Sequence, residues 1–155
     1  MEKLYFEGYH KLTEISKTRQ NELEYFEHTY QLHLPAAYKE FVSRGGDVFL
    51  DVWYGGGLYT QFKVIGSIIS SMKRIVEEDG ADLRNYFPFA HYSEDQFWFF
   101  YLTDGDNPPV YKYDIALFWY GNNYISGASE WGLPRGVIKA ADSFTEYVFE
   151  ISKEY

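Results

Sequence analysis

The chain has 155 residues, of which 21% are aromatic (16 Tyr, 13 Phe and 4 Trp); that is enough length and ring area for one domain with a substantial core. The absence of cysteine excludes a disulfide framework and cysteine-based metal or redox chemistry. A formal net charge of −9 excludes nucleic-acid binding through a basic surface and favours basic partners.

In chain order, the start Met1-Glu2-Lys3-Leu4-Tyr5-Phe6-Glu7 lacks the charged-then-apolar layout of a secretory signal. No stretch is long and apolar enough to cross a membrane. A cytoplasmic protein is expected. Leu4, Phe6, Tyr9, Leu12 and Ile15 recur roughly every three residues, which predicts a short helix before Lys17. Leu23, Phe26 and Tyr30 form one helical stripe over Thr18 to Tyr30, with Glu22 and Glu24 expected in or near its first turn. Leu34-Pro35 opens a second helix, because proline has no N–H to leave unpaired there. Tyr38, Phe41 and Val42 continue its apolar face, and Gly45-Gly46 ends it.

Val48 to Trp53 and Leu58 to Ile65 read as strands around Gly55-Gly56-Gly57. The triple glycine is no phosphate loop, since neither Lys-Ser/Thr nor a helix directly follows it. Ser67 is expected to cap a helix carrying Ile68, Ile69, Met72, Ile75 and Val76, ended by Gly80.

The organising stretch is Tyr86 to Asp114. Along an extended Gln96 to Leu102, Phe97, Phe99 and Tyr101 point one way and Trp98, Phe100 and Leu102 the other. Both faces are apolar, as in a strand covered on both sides at the middle of a sheet. Asp104-Gly105-Asp106-Asn107-Pro108-Pro109 breaks the run, and Val110 to Asp114 resumes it, giving a hairpin with a long polar loop. Ile115 to Tyr120 is a further apolar run, and Gly121 to Gly136 reads as a long loop. Ser143-Phe144-Thr145-Glu146 is a capping box before the stripe Phe144, Tyr147, Val148 and Ile151.

No catalytic, metal or cofactor site emerges. His10, His28, His33 and His91 show no zinc spacing with the carboxylates. Asp104-x-Asp106 opens like a calcium loop, but Pro109 stands where that loop needs glycine and Ile115 where it needs glutamate. Gly127 to Trp131 lacks the pattern of a nucleophile elbow.

Four features in this order carry a family resemblance: a helix leading into Leu34-Pro35-x-x-Tyr38-Lys39-x-Phe41, glycines and a strand after it, the hairpin from Pro88-Phe89-Ala90 to Tyr113-Asp114, and Ala141-Asp142-Ser143-Phe144-Thr145-Glu146-Tyr147 on the final helix. Together they resemble the SUKH superfamily of Smi/Knr-type domains over Thr18 to Ile151. The resemblance implies an α+β fold, a mainly antiparallel sheet with N-terminal helices and a C-terminal helix packed on it. Bacterial members look like immunity proteins, so it also implies a non-catalytic protein that neutralises a cognate toxin by occluding its site. Such toxins are often nucleases with basic clefts, which an acidic, aromatic-rich binder suits. The contacts expected are acids and rings near turns: Asp47, Asp51, Trp53, Tyr54, Glu94, Asp95, Asp104, Asp106 and Trp131. A regulatory scaffold or adaptor related to cell-wall synthesis regulators is the alternative, with a sugar-binding module or enzyme behind it.

Overall fold

Apolar spacing decides where the helices form. The computed structural model describes residues 4–9, 11–48, 58–59, 62, 65–79, 85–92, 96–114 and 136–153. Helix α1 (Lys17–Tyr30) starts where the Ser16 hydroxyl accepts a hydrogen bond from the Arg19 amide, and ends at Gln31, left-handed at φ 51°. Leu23 and Phe26 face the core, whereas Tyr30 is 52% exposed with its ring 4.4 Å from that of Phe26. Glu22 and Glu24 lie beyond the first turn, which holds no acid.

Helix α2 (Ala36–Ser43) buries Ala37, Tyr38, Phe41 and Val42. Gly45 leaves it at φ 75°, and a Cβ on Gly46 would stand 2.3 Å from the Phe41 ring. Backbone and ring meet there so closely that only glycine fits.

Residues 4–9 and 11–16 form no helix, contrary to the spacing. They run as a strap of turns and bends across α2. Gly8 takes φ 75°, and the Tyr5 and Phe6 amides donate to the Glu40 carboxylate at 2.7 and 2.8 Å. Those two donors are committed to a side chain, and the Thr13 and Ser16 amides bond the Arg44 and Ser43 carbonyls. Phe6, fully buried, plugs the core against Phe41 and Phe144.

The strands are β1 (Leu58–Tyr59), β2 (Tyr86–Tyr92), β3 (Gln96–Tyr101), β4 (Val110–Asp114) and β5 (Val137–Ala141). They form an antiparallel sheet in the order β1-β2-β3-β4-β5, which puts β3 at its centre as expected. Helix α3 (Ile65–Asp79) sits between β1 and β2 in the chain and packs on β2. Three boundaries differ from the sequence reading, the first being that the strand expected over Leu58 to Ile65 has ended before Phe62. Ile65 opens α3, so Ser67 lies inside the helix, and residues 46–48 are helical, so no strand begins at Val48. Residues 49–57, 80–84 and 115–135 lie outside the described residues, and with them the rest of that strand, the triple glycine, Gly80, the apolar run and most of the long loop.

The two faces of β3 bury different partners. Phe100 stacks between Phe87 and Phe89 at 5.4 and 5.3 Å, under Tyr38 of α2 and Phe144 of α4 (Phe144–Lys153). On the reverse face Phe97 and Phe99 join Tyr86, Tyr101, Tyr111 and Tyr113 in a ladder of rings 5.1 to 6.2 Å apart. Phe97, Phe99, Phe100 and Tyr113 are all fully buried. The fold is α+β, with helices at both ends of the chain packed with an antiparallel sheet.

Candidate partner-binding surface

The polar loop after β3 does more than turn the chain. Leu102 donates to the Asn85 carbonyl at 2.8 Å, and Gly105 turns left-handed at φ 85°. The Asp106 carbonyl then accepts the Ala37 amide at 2.8 Å, and its carboxylate accepts the Ala36 amide at 3.3 Å. Pro35, at the cap position of α2, makes no side-chain cap bond, so these orphan amides find their acceptors 70 residues away in sequence. Asn107 does the same for α4. Its amide oxygen accepts the Thr145 N–H at 3.1 Å, and its Nδ2 donates to Thr145 Oγ1 at 3.0 Å. Ser143 adds the local half of the cap by accepting the Glu146 amide at 3.2 Å. One short loop thus holds two helix N-termini to the sheet.

This anchoring presents Asp104 at the rim of the tyrosine face. Burial raises the Tyr111 phenol, and Asp104 raises it further, while Lys139 pulls it down. Tyr101 and Tyr111 meet edge to face at 5.3 Å, both partly exposed. Lys139 pairs with Asp142 at 2.8 Å beside them. The loop and the half-exposed rings make a surface of phenol, carboxylate and ammonium groups held in place by caps behind it.

The expected contact residues divide. Asp104 and Asp106 are exposed on this loop, although Asp106 also serves as a cap. Asp47 is not exposed. It is 1% accessible, and its carboxylate takes the Phe62 amide at 2.7 Å and the Arg19 guanidinium. Burial pushes that carboxyl up from 3.8, against the pull of the Phe62 N–H and Arg19. It ties α1 to the segment after α2, and a buried, bonded carboxylate cannot meet a partner. Asp51, Trp53, Tyr54, Glu94, Asp95 and Trp131 lie outside the described residues.

Sequence reading missed the polar groups that build this half of the molecule. Glu40 is 8% exposed, pairs with Arg44 at 3.1 Å and holds the strap. Arg44 also donates to the Phe6 and Thr13 carbonyls at 2.9 Å each. Their i,i+4 spacing was visible as an ion pair, but nothing local announced which distant backbone groups they would take. Between α1 and α2 a groove of about 560 Å³ opens, bordered by Leu4 and Ile15 of the strap, Lys17 and Glu24 of α1, Lys39 of α2, and Asp106.

Among the described residues, no group of three or more His, Asp or Glu side chains could hold a metal ion. No helix among them is long and apolar enough to cross a membrane. Searches of curated proteins and of solved structures find no match. A family model does match, that of the SMI1 / KNR4 family (SUKH-1), over residues 17–150. The matched span runs from the first residue of α1 into the last turns of α4, and so takes in both capped helices, the sheet and the loop that joins them. On that match the chain belongs to the SMI1 / KNR4 (SUKH-1) family.

Proposed function

We propose that this protein is a non-catalytic immunity protein that binds a cognate toxin in the cytoplasm and occludes its active site. Family membership supports a protein-binding role, and the net charge of −9 supports a basic partner such as a nuclease domain. The observation that carries the reading is the hairpin loop. Bonds from Asp106 and Asn107 to two helices, and the Asp104 amide donating to the Tyr101 carbonyl at 3.2 Å, hold Asp104 at the tyrosine face before any partner arrives. A carboxylate and rings fixed in advance lose little freedom on binding, which converts contact into affinity. Asp104 is the leading contact. Asp106 adds charge from the same loop, and Asp51, Trp53, Tyr54, Glu94, Asp95 and Trp131 extend the set. Asp47 is excluded by burial.

Co-expression with the product of the neighbouring upstream gene tests this. The pair should co-purify, growth should be rescued, and association should slow between low and physiological salt as the charges are screened. A toxic neighbour that is neither bound nor neutralised overturns it. The family name also covers regulators of cell-wall synthesis, and a pull-down dominated by endogenous proteins, with no toxin gene nearby, would favour an adaptor instead.

A further inference from the structure

We propose that the groove between α1 and α2 seats a basic segment of the partner protein that also carries aliphatic side chains. This rests on the neutraliser reading and names the chemistry of the bound segment. The groove has two kinds of wall. Leu4 and Ile15 of the strap are 45% and 46% exposed, which is high for large aliphatic side chains. They border a groove whose floor includes Leu23, 2% exposed, so a guest aliphatic chain would cover apolar surface already gathered there.

Charge selects the guest. Lys39 pairs with Glu27 at 3.5 Å within the groove. Glu27 and Glu40 are answered by Lys39 and Arg44. Glu24 and Asp106 have no cationic partner among the described residues, and both border the groove. Lys17 also borders it, two turns of α1 before Glu24. A guest with its cation near Glu24 and Asp106 and its aliphatic part along Leu4 and Ile15 satisfies both walls. An acidic guest would meet Lys17 but set like charges against both Glu24 and Asp106. Asp106 also belongs to the hairpin loop, so one loop supplies both a wall of the groove and, two residues earlier, Asp104.

The test uses the full chain and a synthetic helical peptide of lysine and leucine, with a glutamate–leucine peptide of the same pattern as control. Backbone amide NMR should show saturable changes at Leu4, Ile15, Gln20 and Glu24 with the lysine peptide, and none with the glutamate peptide. Glu24→Lys and Ile15→Ser should each weaken binding by about tenfold. Glu22→Lys and Tyr25→Ala change exposed positions on α1 outside the groove, Tyr25 being 74% exposed, and should leave binding unchanged. No saturable binding, changes centred on Tyr101 and Tyr111, or equal loss in Glu22→Lys and Glu24→Lys would each overturn the groove. In co-expression, a toxin bound equally by wild type and by the Glu24→Lys and Ile15→Ser variants also overturns it and leaves the neutraliser reading standing. Peptide binding that maps to the groove, without toxin capture, does the reverse.

Discussion

The two faces of the sheet are both aromatic, yet they are built from different rings. Toward the helices the rings around Phe100 are largely phenylalanine: Phe87, Phe89 and Phe144, joined by Tyr38. On the reverse face, tyrosines 86, 101, 111 and 113 surround Phe97 and Phe99. A phenol needs a partner or a route to water, whereas a phenyl ring needs neither. Phenylalanine therefore fills the layer sealed by helices. Tyrosine predominates where Tyr86, Tyr101 and Tyr111 stay partly exposed, and there it leaves adhesive surface beside Asp104. Tyr38 and Tyr86 are exceptions, one on each face. Both hydroxyls are buried with no hydrogen-bond partner among the described residues, and burial raises the Tyr38 pKa well above 10.0.

The contrast can be broken or sharpened by substitution. Phe100→Ala should cost about 3–5 kcal/mol in denaturant unfolding, because the cavity would open among four rings. Tyr111→Ala, partly exposed, should cost about half as much or less; equal losses would mean that the faces share the load. Gly46→Ala should cost about 1–3 kcal/mol, since the new Cβ drives into the Phe41 ring and the helix-covered layer has no room to give. A thermal midpoint unchanged from wild type would show slack there.

Asn107→Ala should cost about 1 kcal/mol through the lost cap of α4. It should also raise hydrogen exchange at the Thr145 amide; if that amide stays protected, the loop is not the clamp. Tyr38→Phe should be neutral or stabilising by up to about 1 kcal/mol, because a buried unpaired hydroxyl is removed with little change of shape. A clear loss would show that the hydroxyl has a stabilising role.

The smallest effect is one of pH. Burial, then Glu77, pushes the Tyr86 phenol up to about 12 from 10.0. A folded-state pKa above the unfolded one gives stability that is fully present below pH 10 and is lost as pH rises through about 12. Compared with Tyr86→Phe, the wild type should lose stability across that window. Parallel unfolding curves for the two proteins would place Tyr86 in solvent.

The elements read correctly in advance are those whose signal is local. Leu23 and Phe26, the Tyr38-Phe41-Val42 set and the Phe144 stripe repeat at helical spacing, and the two-sided apolar run of β3 could only lie inside a sheet. The strap was misread because Phe6, Tyr9 and Leu12 keep a helix-like spacing while their backbone donors and carbonyls serve α2 and other turns. Ser67 resembles a cap because serine before an apolar run is a local cue, yet the helix begins at Ile65. Asp47 looks like a surface acid in the sequence because an acid's burial depends on the cation it meets, and Arg19 is 28 residues away.

From the order of residues alone came the family, the α+β class, most helices and the central strand, because periodicity and turn chemistry act over a few neighbours. The tertiary structure alone decided which acids are cement and which are surface. Glu40 and Asp47, helped by the Asn107 amide, hold the molecule together through donors far away in the chain. Asp104 and Glu24 are left facing outward. A carboxylate is the same chemical group in either role, and only the distant backbone or guanidinium that folding brings beside it determines whether it is spent inside or left for a partner.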